Sequence, residues 1–372
     1  MSENGIVAIT VPKWGMAMDE GTVTAWHIDE GGTVEAGDEV LDVESTKIAN
    51  AIEAKQAGVL RRQVAAVGQT LPVGGLLGVI APADVGDAEV DTFIDGFVVV
   101  APDDDEAESG PQPQSIGVHG QTIQYLVHGE GGVPILLIHG FGGDINLWMF
   151  NQPILADTRA VYALDLPGHG GSSKDVGDGS IAFLAQATIG TIDALGLETC
   201  HLVGHSMGGA VAMQVALDHP ERIASMTLIA PAGLGPEING AYIAGYIAAE
   251  RRKDMKPMVA QLFADQSLVT RQMVEDVLRA KRIDGINAAL ATIAAAQFDG
   301  DRQKLDLSDQ AGRLDLPKQV LWGADDHIIP VSHANHLSGA NVTILDGAGH
   351  MPMMEKTPDI NQTIAAFVAS QV

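Results

Sequence analysis

The chain has 372 residues, of which 46% are hydrophobic and 19% charged, a balance that is typical of two or three globular domains with sizeable cores. Its formal net charge of −27 repels nucleic acid and anionic lipid, which argues against both as partners. A single cysteine, Cys200, excludes an intrachain disulfide, and no apolar run reaches membrane-spanning length, so we expect a cytoplasmic protein.

Residues 6–82 alternate apolar with polar side chains and lack a helical period, which predicts short strands joined by tight turns. An internal repeat with a constant offset of 37 residues pairs two sets of positions: Gly21, Gly31, Thr33 and Gly37 with Gly58, Gly68, Thr70 and Gly74. Such a repeat predicts two similar sheets in an all-β, quasi-symmetric flattened barrel, with the hairpin around Glu44–Ala49 between its halves.

Lys47 lies at the tip of that hairpin, where a tethered cofactor can reach several sites. Taken alone, it is more simply interpreted as an ordinary solvated hairpin lysine. Its surroundings, however, resemble the lipoyl domains of 2-oxo acid and acetoin dehydrogenase complexes over about residues 5–82, within a domain that we place at residues 1–82. The resemblance rests on Pro12-Lys-Trp-Gly-Met16, the turn from Gly31 to Gly37, and Val43-Glu-Ser-Thr-Lys47.

Biotin carriers share this fold, so the residues that flank the lysine decide between the two prosthetic groups. Biotin carriers usually place their lysine between two methionines, whereas Thr46 and Ile48 flank Lys47 here. The resemblance therefore implies lipoate on Lys47, added by a lipoate-attaching enzyme.

Residues 83–115 are predicted to be a linker. From residue 101 onward the interval is acidic, so like charges repel, and Pro111 and Pro113 favour an extended backbone. Residues 84–100 are more ambiguous, because Gly96 weakens a possible short helix. The apolar face of that helix would consist of Val90, Phe93, Ile94 and Phe97.

From residue 116 to residue 372, short apolar runs alternate with segments of helical period. This order predicts a mostly parallel sheet with helices on both faces. The predicted strands are 134–138, 160–164, 200–203, 224–229, 317–321 and 341–345, and the predicted helices are 181–195, 207–217 and 358–369. Ala-rich helical sequence at about 234–312 interrupts the alternation and predicts a helical lid.

A nucleophile motif, Gly204-His-Ser-Met-Gly208, lies between a predicted strand and a predicted helix. A sharp strand-to-helix turn needs small residues around the nucleophile, and it presents Ser206 at a helix N-terminus. The segment His139-Gly-Phe-Gly-Gly143 follows an earlier strand. The backbone N–H groups of Phe141 and Met207 are therefore candidate oxyanion donors.

Two late segments supply a candidate acid and base. Trp322-Gly-Ala-Asp-Asp-His-Ile-Ile-Pro330 contains two aspartates, and the spacing Gly-x-x-Asp-x-x-x-Pro selects Asp326 over Asp325. Gly347-Ala-Gly-His-Met-Pro352 follows the last strand and supplies His350. Serine needs a base to take its proton, and the base needs an acid to orient it. Each residue alone also fits a capping or hydrogen-bonding role.

The chain order serine, aspartate, histidine resembles the α/β-hydrolases over residues 116–372 outside the lid. Fusion of such a domain to a lipoyl-type domain resembles the dihydrolipoamide acetyltransferase component of acetoin dehydrogenase complexes. That resemblance implies three partners or co-substrates. Thiamine-dependent acetoin dehydrogenase subunits would load acetyl onto the arm, coenzyme A would receive it, and dihydrolipoamide dehydrogenase would reoxidise the arm.

Transfer through Ser206 is the expected route. The chain lacks the His-x-x-x-Asp-Gly signature of better-known acyltransferase domains. Two other functions remain open at this point: a serine hydrolase of esters or thioesters with an attached lipoyl domain, and a non-enzymatic lipoyl carrier with a scaffold domain. No strong metal-ligand spacing is present, so we expect no metal site.

The lid has a local charge reversal. Residues 251–282 contain eight basic and four acidic residues in an otherwise acidic chain. This excess could attract the phosphates of coenzyme A, although solvated helix faces are the simpler interpretation.

Overall fold

The computed structural model of this protein describes residues 5–11, 20–44, 49–97 and 111–371. Lys47, the segment Pro12–Met16 and residues 101–110 of the acidic stretch lie outside the described residues. The chain divides into two compact units, Met1–Gly110 and Pro111–Val372.

The first unit contains two four-stranded antiparallel sheets, which confirms the all-β prediction for this part of the chain. Its strands are β1 (Val7–Thr10), β2 (Glu20–Trp26), β3 (Thr33–Val34), β4 (Glu39–Glu44), β5 (Ala49–Glu53), β6 (Gly58–Gln63), β7 (Thr70–Pro72) and β8 (Leu76–Ala81). The sheet orders are β1-β8-β6-β3 and β5-β4-β2-β7. Each strand in one sheet has its counterpart four strands away along the chain in the other sheet, for example β1 with β5 and β8 with β4. This is the relation that the sequence repeat predicts.

The repeated glycines explain why the repeat is visible in the sequence. Gly31 and Gly37 have φ values of +87° and +95°, and their counterparts Gly68 and Gly74 have +87° and +81°. Because side-chain-bearing residues rarely adopt this left-handed conformation, both halves need glycine at the same turns. Fully buried apolar side chains fill the core of the unit, among them Val23, Leu41, Leu60 and Leu77.

A helix, α1 (Asp87–Asp95), occupies part of the interval that was predicted to be a linker. Val90 is fully buried in a cluster with Leu76 and Val79 of the first unit. Gly96 lies at the C-cap, so it ends the helix rather than disrupting it. The linker prediction is therefore wrong for this stretch, because apolar residues at helical spacing outweigh one terminal glycine.

The second unit is built on an eight-stranded sheet of order β18-β17-β14-β13-β11-β12-β10-β9. Its strands are β9 (Gln114–Val118), β10 (Gln121–His128), β11 (Ile135–Ile138), β12 (Val161–Leu164), β13 (Cys200–His205), β14 (Ile223–Ile229), β17 (Lys318–Gly323) and β18 (Asn341–Leu345), and a separate ribbon consists of β15 (Phe298–Asp299) and β16 (Arg302–Gln303). Within the eight-stranded sheet, the six strands β18, β17, β14, β13, β11 and β12 pair in parallel, and β10 and β9 add an antiparallel edge. The mostly parallel sheet is thereby confirmed.

Helices separate most of these strands. They are α2 (Gln152–Leu155), α3 (Ile181–Ala194), α4 (Met207–Asp218), α5 (Gly240–Ala248), α6 (Arg252–Ala260), α7 (Arg271–Lys281), α8 (Ile286–Gln297), α9 (Ser308–Gly312), α10 (Pro352–Glu355) and α11 (Thr357–Ala369). The predicted helices correspond to α3, α4 and α11, and the predicted lid interval contains α5 to α9. No helix in the described part of the chain is long and apolar enough to cross a membrane.

Candidate active site

The turn between β13 and α4 carries Ser206 in a strained conformation, with φ +52° and ψ −119°. A positive φ in a residue other than glycine is costly and is typical of functional sites. The flanking glycines leave no room for side chains. A Cβ at Gly204 would overlap the backbone of Gly208, and a Cβ at Gly208 would overlap the carbonyl of Ile138. Sterics therefore dictate the small residues of the motif.

Ser206, His350 and Asp326 form one hydrogen-bonded chain. His350 Nε2 lies 3.0 Å from Ser206 Oγ, and His350 Nδ1 lies 2.8 Å from Asp326 Oδ2. The carboxylate can only accept, so Nδ1–H donates to it and Nε2 is left to take a proton from Oγ. The arrangement can activate a serine nucleophile.

The Asp326 carboxylate is held by four groups. Its side chain is fully buried, its Oδ2 accepts from Trp322 Nε1–H at 2.9 Å, and its Oδ1 accepts from the backbone N–H groups of Ile328 at 2.7 Å and Ile329 at 3.0 Å. Burial alone raises the pKa of this carboxyl, but the adjacent His350 ring and the two backbone donors lower its pKa below the ordinary value. The ionised form is thereby favoured.

The loop His139–Gly143 lies directly against the Ser206 turn. A Cβ on Gly140 would be 3.0 Å from the Cβ of Ser206. Phe141 follows Gly140 in this loop, and Met207 is the first residue of α4, where the helix itself offers no acceptor for the N–H. The Phe141 N–H thus belongs to a segment that packs against the Ser206 turn, and the Met207 N–H directly follows the nucleophile, so both remain candidate oxyanion donors.

Two buried histidines hold this loop. His139 Nδ1–H donates to the Gly140 carbonyl at 2.8 Å, and His139 Nε2 accepts from Leu166 N–H at 3.0 Å. His169 Nε2 accepts from Gly142 N–H at 3.1 Å. Burial lowers the pKa of His139 to about 4 and that of His169 to about 3. Both rings are neutral acceptors near neutral pH, which suits a framing role.

The loop that carries His350 is fixed by two side chains to which the sequence analysis gave no role in catalysis. His205 Nε2–H donates to the His350 carbonyl at 2.9 Å. Glu355 Oε2 accepts from Gly349 N–H at 2.6 Å, and its Oε1 accepts from Ala264 N–H at 2.8 Å. Glu355 therefore connects the lid to the segment that bears the candidate base.

Four of the eight basic residues of the 251–282 cluster are engaged within the lid. The Nζ of Lys281, which is 4% exposed, donates to the carbonyls of Tyr246 at 2.5 Å and Ala249 at 2.6 Å and so caps the end of α5. Three exposed ion pairs add to this, namely Arg251–Asp254, Arg252–Glu275 and Arg279–Asp276. These contacts favour a structural interpretation of the cluster over a phosphate site.

The structure thus brings together five of the six candidate site residues, and Lys47, in the other unit, lies outside the described residues. The strands that flank it are described. β4 and β5 pair up to Glu44 and Ala49, so the hairpin that carries Lys47 is closed next to it. Among the described residues, no group of three or more His, Cys, Asp or Glu side chains is placed to hold a metal ion.

Comparisons with known proteins agree with both units. Residues 133–357 match the family model of the alpha/beta hydrolase fold, and residues 7–80 match the model described as biotin-requiring enzyme. A Pseudomonas putida protein named dihydrolipoyllysine-residue acetyltransferase component of acetoin cleaving system is 48% identical over 98% of both chains. The Cupriavidus necator protein of the same name is 45% identical over 96% of both chains. Among solved structures, a meta-cleavage product hydrolase from Pseudomonas fluorescens aligns with a TM-score of 0.65 at 25% identity, over 70% of this chain and 98% of that chain.

Proposed function

The chain belongs to the family of dihydrolipoyllysine-residue acetyltransferase components of acetoin cleaving systems, and on this premise we propose that it passes acetyl from lipoate on Lys47 to coenzyme A through Ser206. It is an acyltransferase on an α/β-hydrolase fold. The observation that carries the serine route is the hydrogen-bonded chain from Ser206 through His350 to buried Asp326.

Lipoate on Lys47 fits the first unit. Two sheets related by the repeat, with β4 and β5 paired up to Glu44 and Ala49, support the assignment of the intervening lysine as the attachment site. When attached there, the arm would supply the acetyl group as a thioester. A rigid scaffold for the hairpin matters because the arm must present its end to more than one enzyme.

In the first half-reaction, Ser206 Oγ attacks the acetyl carbonyl carbon and His350 Nε2 takes the hydroxyl proton. The N–H groups of Phe141 and Met207 hold the oxygen as it becomes negative. The C–S bond then breaks, and His350 returns the proton to the departing sulfur. Asp326 stabilises the imidazolium while it exists. The product is an acetyl ester on Ser206.

In the second half-reaction, His350 takes the proton of the coenzyme A thiol, and the sulfur attacks the ester. Ser206 leaves with the proton from His350, so no electron or proton is gained or lost overall. Water must be kept from competing with the thiol. Ser206 is 9% exposed and His350 is 2% exposed, which supports this exclusion.

The proposed partners rest on the family and on the balance of this reaction. Thiamine-dependent acetoin dehydrogenase subunits would load the acetyl group. Each transfer leaves a dithiol, so dihydrolipoamide dehydrogenase must reoxidise it before the next cycle. A lipoate-attaching enzyme must modify Lys47 first.

Product partition tests the proposal. Purified protein is given S-acetyl-dihydrolipoamide with and without coenzyme A, and acetyl-CoA and free acetate are quantified. We expect acetyl-CoA to be the main product. Mostly acetate with or without coenzyme A would instead support a serine hydrolase, which the likeness to the meta-cleavage product hydrolase favours as the second candidate. No acyl turnover at all would leave only a carrier function.

The adjacent aspartates give a matched test of the acid. We expect Asp326→Asn to lower kcat about ten-thousandfold, because an amide reverses the favoured histidine tautomer and cannot stabilise the imidazolium. Asp325→Asn should stay within about twofold of the unchanged protein, since surface substitutions are usually near neutral and the Asp325 side chain is exposed. The measurement is steady-state acyl transfer. Similar losses in both variants would contradict the assignment of Asp326.

A further inference from the structure

A tyrosine hydroxyl of the lid donates to the loop His139–Gly143, which carries the candidate oxyanion donor Phe141 and is called the oxyanion loop below. Tyr246 on α5 is 3% exposed, and its Oη–H donates to the Gly142 carbonyl at 2.9 Å. Gly142 has φ +73°, and a Cβ there would lie 2.6 Å from the Tyr246 ring. The ring therefore lies directly on the backbone of the loop, and glycine is required beneath it.

Hydrogen bonds hold each of the three peptide groups between Gly140 and Gly143. The Gly140 carbonyl accepts from His139 Nδ1–H at 2.8 Å and from Gly143 N–H at 3.1 Å. The Gly142 N–H donates to His169 Nε2 at 3.1 Å. Because peptide groups are planar, these bonds fix the two peptides on either side of Phe141.

The third peptide, which joins Gly142 to Gly143, is fixed from the lid. Its N–H donates to Gly140 within the loop, whereas its carbonyl accepts from Tyr246. The Phe141 N–H belongs to the first of the three peptides and is the donor assigned to the oxyanion. The Gly143 N–H bond to the Gly140 carbonyl joins the third peptide to the first, so the lid's bond to the Gly142 carbonyl adds a restraint on the direction of the Phe141 N–H.

Tyr246 is itself held rigidly. Its ring centroid lies 6.0 Å from that of Phe141 in an edge-on arrangement, and Lys281 Nζ lies 5.3 Å from the ring centroid while also donating to the Tyr246 carbonyl. Burial raises the pKa of the Tyr246 phenol well above its usual value, so the hydroxyl remains a donor. The helix end, the ring and the hydroxyl are all fixed by contacts within the unit.

We propose that Tyr246 is a positioning residue for the Phe141 oxyanion donor, so that stabilisation of the tetrahedral intermediate depends on this contact between the lid and the loop. This rests on the proposed serine route. Loss of the hydroxyl would leave the Gly142 carbonyl without its donor and let the loop relax. Because the oxyanion exists only after attack, the effect should fall on kcat rather than on KM.

The experiment uses the full-length protein with Tyr246→Phe, and Tyr242→Phe as the matched control. Tyr242 lies one turn earlier on the same helix and is 4% exposed, but its hydroxyl donates to no acceptor among the described residues. Consumption of S-acetyl-dihydrolipoamide is followed whatever the product. We expect Tyr246→Phe to lower kcat about tenfold with little change in KM, consistent with the loss of one net hydrogen bond. Tyr242→Phe should change neither parameter.

A second readout separates positioning from simple destabilisation. The carbonyl carbon of a trifluoromethyl ketone analogue of the acetyl donor is attacked by Ser206 Oγ, and the resulting hemiketal places a negative oxygen in the oxyanion site. S-ethyl-dihydrolipoamide has no carbonyl on its sulfur and cannot form this adduct. Tyr246→Phe should lower the affinity for the ketone by about the same factor as it lowers kcat. The affinity for S-ethyl-dihydrolipoamide should be unchanged.

Three outcomes would overturn the proposal. They are a kcat within about twofold of the unchanged protein, a lower kcat with unaltered ketone affinity, and equal losses in both tyrosine variants. Failure of the proposed function is distinct. In that case the unchanged protein makes acetate rather than acetyl-CoA, and the two tyrosine variants still differ in donor consumption. An unchanged protein that consumes no donor would overturn both.

Discussion

Ser206→Ala is expected to reduce acyl transfer about a million-fold, the scale on which removal of a serine nucleophile abolishes turnover in triad enzymes. Without Oγ, His350 has no proton to take and no acetyl ester can form. The oxyanion donors remain, since they are backbone groups of Phe141 and Met207. Residual activity should therefore reflect binding and the oxyanion site alone. The measurement is formation of acetyl-CoA from S-acetyl-dihydrolipoamide.

The control is Ser370→Ala at the end of α11, where the side chain is exposed and its hydroxyl donates to the Phe367 carbonyl and accepts from Gln371 Nε2–H. The Ser370→Ala variant should transfer acetyl at the same rate as the unchanged protein. Intact-mass analysis should show the same lipoylation in all three proteins, which excludes loss of the arm as the cause. If Ser206→Ala transfers acetyl within about tenfold of the unchanged protein, the acetyl ester on Ser206 is contradicted. Direct attack of coenzyme A on the thioester is then favoured.

Local rules of backbone geometry explain what the sequence could predict. Gly31 and Gly68 both occupy left-handed turns that require glycine. The same residue type therefore recurs at matching positions, and the sequence alone reveals the repeat. The glycines around Ser206 prevent overlap with neighbouring backbone. The choice of Asp326 over Asp325 rested on spacing, and the structure places the Asp326 carboxylate against His350. Short-range steric requirements leave a regular trace in the sequence.

Contacts between distant segments leave no such trace. Tyr246 and Gly142 are 104 residues apart, and Glu355 and Ala264 are 91 apart, so no motif joins them. The number of basic residues in the lid likewise does not show whether they bind phosphate or make structural contacts. Lys281 contributes to that count, yet its ammonium group caps a helix inside the unit. Composition reports charge, whereas the partner of each charge depends on packing.

Lys47→Arg is expected to abolish acetyl transfer that starts from acetoin in the assembled system. Arginine keeps the positive charge, but its guanidinium stays protonated and cannot accept lipoate. Transfer from free S-acetyl-dihydrolipoamide should stay within about twofold, because this reaction does not need the attached arm and the residues of the Ser206 site are unchanged. The gain from tethering is a local concentration of about millimolar, which free arm at low concentration cannot replace.

Lys55→Arg is the matched control, since Lys55 is exposed in the same unit and lies eight residues along the chain. It should keep both lipoate, as measured by intact mass, and acetoin-dependent transfer. Lipoate still present in Lys47→Arg would place the attachment site elsewhere. Loss of transfer from the free thioester as well would show that the arm or its lysine is needed at the Ser206 site for more than delivery. Retention of that reaction, with loss of the acetoin-dependent one, would separate a carrier lysine in the first unit from acyl chemistry in the second.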